Sequence, residues 1–113
     1  MGELVGSVTI RNKRLVYRER GSFVVAHIDS KGVQHRYSIP EPAIDRLYAL
    51  TKGETISKDE AASRIQDFAE ELLLTYQYGW KLDFLALEML VVLVALGNAT
   101  LAREGRKYHF SIH

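Results

Sequence analysis

Arginine is the residue whose type and spacing most suggest chemistry in this chain, and the chemistry is charge recognition. Arg14, Arg18 and Arg36 sit in stretches that alternate apolar and polar residues, with Arg11, Lys13, Arg20 and Lys31 at their ends. A second basic group, Arg103, Arg106 and Lys107, lies near the C-terminus. Guanidinium groups in a row suit phosphate oxygens, which supply affinity without reading sequence. We expect Arg14, Arg18 and Arg36 to project together from one sheet face. That face would lack the exposed aromatics on which single-strand binders stack bases, so duplex DNA or structured RNA backbone is the expected ligand.

Other reactive residues form no recognisable constellation. The chain has no cysteine, so disulfides, thiolate nucleophiles and Cys-based zinc sites are excluded. No Gly-x-Ser-x-Gly, His-Glu-x-x-His or phosphate-cradling Gly-rich loop is present, so no catalytic residues, no metal site and no cofactor are expected. His27 and His35 should face each other on adjacent strands, but the sequence places no third ligand beside them. Glu88 is the one charge in Phe84–Leu96, a run otherwise apolar at twelve of its thirteen positions. Such a carboxylate should reach the helix edge or meet an arginine.

The run around Glu88 dictates the architecture. A helix apolar on every side must be enclosed on every side. Asp83 would cap its start and Gly97-Asn98 stop it. Upstream, Val8, Ile10, Leu15, Tyr17, Phe23, Val25, Tyr37 and Ile39 alternate with polar or small residues, the period of half-buried strands. A two-residue loop at Asn12-Lys13 would pair Ile10 with Leu15 and Val8 with Tyr17. Three-residue loops ending at Gly21 and Gly32 would pair Tyr17 with Phe23 and Val25 with Tyr37. This register gathers all the large apolar residues on one face.

Pro42 opens a short helix to Leu50. Ser57-Lys58-Asp59-Glu60 is a capping box, followed by an amphipathic helix to about Tyr78. Tyr76, Tyr78 and Trp80 form an aromatic corner before the central helix. Ala99 and Leu101 then face Tyr108 and Phe110 in a hairpin turning at Glu104-Gly105. The expected fold is a single α+β domain over residues 1–113: an antiparallel meander of four strands (1–39), a helical part (42–97) and a hairpin (99–112). The order helix, helix, helix, hairpin after Pro42 resembles the layout of a winged helix-turn-helix. A recognition helix must offer polar groups to base edges, and Phe84–Leu96 offers only Glu88, so the resemblance is one of layout and not of family.

Charge is segregated along the chain. Residues 1–40 hold seven Lys/Arg against three Asp/Glu, residues 41–88 five against ten, and residues 89–113 three against one. The basic ends point to an anionic partner. No basic and apolar leader opens the chain, and the absence of cysteine fits a reducing compartment, so an intracellular, cytoplasmic protein without a membrane segment is expected. Two readings follow. One is a small non-enzymatic nucleic-acid-binding protein. The other is a homo-oligomeric interaction module or assembly factor, a homodimer whose seam would use Val91, Val94 and Ala95 to cover the central helix.

Overall fold

The computed structural model describes residues 2–69 and 81–113. Strands β1 (Glu3–Ile10), β2 (Asn12–Glu19), β3 (Ser22–Ile28) and β4 (Gln34–Pro40) form an antiparallel meander in sequence order. Helix α1 (Glu41–Thr51), strand β5 (Thr55–Ile56), helices α2 (Lys58–Ala69) and α3 (Leu82–Ala95), and the hairpin β6 (Ala99–Glu104) with β7 (Lys107–Ile112) follow. The class is α+β. The two-residue β5 pairs with β7, giving a second sheet of order β5-β7-β6 that the sequence did not announce. The expected aromatic corner at Tyr76, Tyr78 and Trp80, and the last turns of the long amphipathic helix, lie outside the described residues.

The β1–β2 and β2–β3 pairings differ from the expected register, while β3–β4 keeps it. Val25 pairs with Tyr37, Phe23 with Ile39 and His27 with His35, as the alternation predicts. The first hairpin, however, closes at Ile10–Asn12 through Arg11, whose φ is 62°. Val8 then pairs with Arg14, and Ser7 with Leu15. The second turn is two residues, Arg20-Gly21, between paired Glu19 and Ser22. An odd shift turns every side chain of a strand to the other face. On β2, Arg14, Val16 and Arg18 point inward and Leu15 and Tyr17 outward, the reverse of the expectation.

What holds this register is an ion pair. Arg14 is 6 % exposed and Glu88 0 %. Arg14 Nε donates to Glu88 Oε1 at 3.0 Å and to Oε2 at 3.3 Å. Its Nη1 donates to the carbonyls of Ile10 and Asn12, so one guanidinium closes the first hairpin and neutralises the central helix. Burial pushes the Glu88 carboxyl above the usual range, and the charge and hydrogen bond of Arg14 pull it back. A buried carboxylate without a partner costs several kcal/mol, whereas leaving Leu15 fully exposed would cost about 1.5–3 kcal/mol. Leu15 and Tyr17 are half-buried, so the actual cost is smaller. The pair wins.

Helix α3 is enclosed by its own chain. Leu85, Ala86, Met89, Leu90, Val91, Val92 and Leu93 are all buried, packed with Val8, Val16, Phe23, Val25, Ile39, Leu47, Phe68 and Phe110 in one core. Gly6 lets the helix end approach β1, since a Cβ there would stand 3.2 Å from the Ala95 carbonyl oxygen. The start differs from expectation: Lys81 is the N-cap, and Asp83 sits in the first turn, where its charge favours the helix dipole without a capping hydrogen bond. At the other end Gly97, with φ 80°, permits Asn98 N–H to reach the Leu93 carbonyl and Gly97 N–H the Val94 carbonyl, a Schellman stop. Of the expected dimer seam, the placement of Val91 is corrected. Val91 is inside the monomer, and only Val94 and Ala95 remain half-buried.

The remaining helices follow their local signals. Pro42 stands in the first turn of α1. The capping box forms, with Glu60 N–H on Ser57 Oγ at 3.2 Å and Ser57 N–H on Glu60 Oε1 at 3.3 Å. The β6–β7 hairpin, called the wing below for its place in the layout, pairs Leu101 with Phe110 and Arg103 with Tyr108, so its turn is Gly105-Arg106, one residue beyond the expected Glu104-Gly105. Among the described residues no helix is long and apolar enough to cross a membrane.

Two substitutions test this packing by urea denaturation. Leu90→Ala should cost about 2–5 kcal/mol, because its site is fully enclosed. Glu88→Gln should cost about 3–5 kcal/mol by stranding the Arg14 cation, and the double change Arg14→Met with Glu88→Leu should cost less than the single one.

Candidate nucleic-acid interface

The fold redistributes the arginines. Arg14 is withdrawn from the expected basic face because it is buried against Glu88. Arg18 shares the inner face with Arg14, at its rim, where its guanidinium lies 5.1 Å from the centre of the Phe23 ring and 3.9 Å from Glu41. Only Arg36 of the three projects outward, 3.6 Å from Glu19. Arg20 is exposed in the β2–β3 turn. The row of three guanidiniums does not exist.

A different group takes its place. The β1–β2 turn and the wing bound a groove of about 680 Å³ lined by Thr9, Arg11, Leu101, Arg103, Arg106 and Tyr108. Each arginine reaches it for a local reason. Arg11 occupies the left-handed apex of the first hairpin, which Arg14 ties down from inside. Arg106 occupies the wing turn, and Arg103 is braced by its Nε donating to the Gly105 carbonyl at 2.8 Å and by the Tyr108 ring 5.7 Å away. Among the described residues none of the three has a carboxylate partner. Glu104 belongs to the opposite face of the wing, beside His109 at 3.7 Å. Lys107 is exposed there too, cross-strand from Glu104.

The cations of the acidic segment behave differently. Arg64 is held by Glu54 at 2.6 Å, Lys58 lies 3.8 Å from Asp83, and Arg46 covers the Phe68 ring. These three cations are engaged locally, while Arg11, Arg103 and Arg106 at the groove face solvent. Three guanidiniums with the Thr9 and Tyr108 hydroxyls beside them form a donor-rich anion cradle suited to phosphate oxygens.

The reversed β2 register alters the outer sheet face as well. Leu15 and Tyr17 now lie there with Val24 and Ala26, and the exposed Leu4 is the cross-strand partner of Tyr17. The aromatic side chain that the sequence reading denied this face is present. A longer look at Arg14 could have found it, since the alternation fits either face and Glu88 needs a cation.

The histidine pair is an edge feature of the inner face. His27 and His35 rings stack at 5.0 Å, and His35 Nε2 lies 2.8 Å from Asp29 Oδ2. Asp29 also accepts the Lys31 and Val33 N–H groups, which shapes the β3–β4 turn; its hydrogen bond with His35 first, and then these backbone donors, lower its pKa. No group of three metal-ligating side chains is assembled among the described residues. Comparison with protein-family models, curated proteins and solved structures gave no match.

Burial first, then the Arg14 cation and His35, lowers the His27 pKa below its usual 6.5, with Asp29 opposing. The folded state thus prefers neutral imidazole, and the unfolded chain takes up the proton first as pH falls through 6.5. Stability present above that pH should decline below it until the folded imidazole titrates. His27→Gln should remove this part of the decline, read as a smaller loss of unfolding free energy between neutral pH and about pH 5.

Proposed function

We propose that the protein is a non-enzymatic nucleic-acid-binding protein that grips the phosphodiester backbone in the groove between the first hairpin and the wing. The observation that carries this reading is the convergence of Arg11 with Arg103 and Arg106, which lie more than ninety residues further along the chain, on one groove without a neutralising carboxylate among the described residues. Exposed Lys13 and Arg36 extend the basic surface along the sheet. The enclosed α3 cannot enter a major groove, so affinity here comes from backbone contacts and not from base edges in a duplex. The alternative, a self-associating module, keeps only half-buried Val94 and Ala95 of its motivating patch.

Fluorescence anisotropy with labelled oligonucleotides tests the reading. Binding should weaken steeply with salt, and Arg103→Glu with Arg106→Glu should abolish retention at about 50 mM salt while the thermal midpoint stays within a few degrees, because both positions are exposed. The milder Arg103→Ala with Arg106→Ala should flatten the slope of log K against log salt by about 1.4 for a single strand or about 1.8 for a duplex. A folded wild type that retains neither kind of oligonucleotide at that salt refutes the proposal.

A further inference from the structure

Next to the arginine groove lies a second depression of about 510 Å³ on the outer face of the four-stranded sheet. Leu15, Tyr17 and Ala26 line it from the strands, Ile28 stands beside them at 62 % exposure, and the Gln34 amide and the Lys13 and Arg36 cations rim it. Arg11, at the apex of the first hairpin, lines both depressions. The helices that pack on this sheet do so from its inner face, where the Val8, Val16, Phe23, Val25 and Ile39 side chains meet them, while on the outer face Val24 and Ala26 are buried, Leu15 and Tyr17 half-buried and Ile28, Gln34 and Arg36 exposed.

We propose that this face is a base-stacking platform and that the nucleic acid held by the arginine groove is single-stranded. The inference rests on the phosphate reading of that groove. A strand whose phosphates follow Arg103, Arg106 and Arg11 continues past Lys13 and Arg36, and its unstacked bases lie on the Tyr17 ring and the Leu15 and Ile28 side chains. The Gln34 amide, a donor and an acceptor on one group, stands where a base edge ends. A duplex keeps its base faces inside its own stack and presents only a charged wall, so it would leave this apolar floor uncovered and gain nothing from the aromatic ring. A single strand offers both the anionic backbone that complements the basic rim and the flat apolar faces that complement the floor. The register controls the outcome: the shift that commits Arg14 to Glu88 is the same shift that presents Tyr17 to solvent.

The test is an anisotropy titration of a labelled single strand and of a duplex of equal length, at matched salt, with three proteins. Wild type should bind the single strand at least roughly tenfold more tightly than the duplex. Tyr17→Ala should weaken single-strand binding roughly tenfold and leave duplex binding and the salt slope unchanged. Tyr17→Leu keeps the apolar volume, so that variant separates ring stacking from loss of fold, and it should show the same selective loss. Equal binding of both forms by wild type, or full single-strand affinity in folded Tyr17→Ala, overturns the platform while leaving the phosphate groove standing. Failure of wild type to bind either form removes the groove reading first and the platform with it. Sedimentation equilibrium covers the remaining occupant: a dimer that Tyr17→Ala dissolves would assign the face to a second copy and overturn the proposal.

Discussion

The contact between Arg14 and Glu88 decides more of this structure than any apolar cluster does. Helix α3 must lie in the middle of the domain because it is apolar all round, and it carries one carboxylate into that position. A charge in such a place needs a partner, and the partner must come from whatever packs against the helix. Arg14 supplies it from β2 and also binds the carbonyls of the turn that joins β2 to β1. One side chain thereby links the position of α3, the register of the first hairpin and the placement of Arg11 at its apex. The pair adds little net stability against a hydrophobic replacement of equal volume. Its consequence is specificity, since the expected register, with Arg14 on the outer face, would take this guanidinium away from Glu88.

Much of the fold could be read from local signals that have no competitor. The capping box at Ser57–Glu60, the Pro42 start of α1, the Gly97 stop of α3 and the pairing of β3 with β4 each follow from chemistry within a few residues, and each is present. The register of β2 could not be read this way, because its alternation serves either face equally well. Transfer free energy alone favours burying Leu15 and Tyr17, which is the choice a sequence reading makes. A long-range term between positions 14 and 88 overrides it, and that term is invisible until the helix is laid on the sheet. Strand β5 was missed for a simpler reason. Two residues carry no periodicity, and Thr55-Ile56 becomes a strand only because β7 lies beside it.

The candidate site was legible in its residues and not in its grouping. Arg11, Arg103 and Arg106 all stand out by type, yet the sequence assigns them to separate turns. The fold joins them because β1 and the wing both flank α3, so the turn of one and the tip of the other meet at the edge of the same core. The misassigned residues fail together for one cause. Arg14 leaves the outer face, Tyr17 enters it, and the expected ligand changes from a duplex, which needs only cations, to a strand that can also use an aromatic ring.

Charge segregation along the chain acquires a physical meaning from these placements. The acidic middle of the sequence neutralises its own cations at short range, through Glu54 with Arg64 and Asp83 with Lys58. Glu88 crosses into the basic part and takes Arg14 out of circulation, and Glu41 lies 3.9 Å from Arg18. The basic ends also lose Arg18 and Arg36 in part, to Glu41 and Glu19. Of the cations in the basic ends that make no ion pair among the described residues, Arg20 and Lys31 lie in other turns and Lys107 on the opposite face of the wing, while Arg11 and Lys13 from the first hairpin and Arg103 and Arg106 from the wing gather at one edge. A surface that had merely to stay soluble would intersperse both signs there, as the helices do. Guanidiniums that repel one another across a groove raise the energy of the free protein, and an anion bound between them relieves that repulsion while gaining its own hydrogen bonds. The proposed polyanion site thus follows from the same ion-pairing rules that fix the core, applied to cations the core did not use.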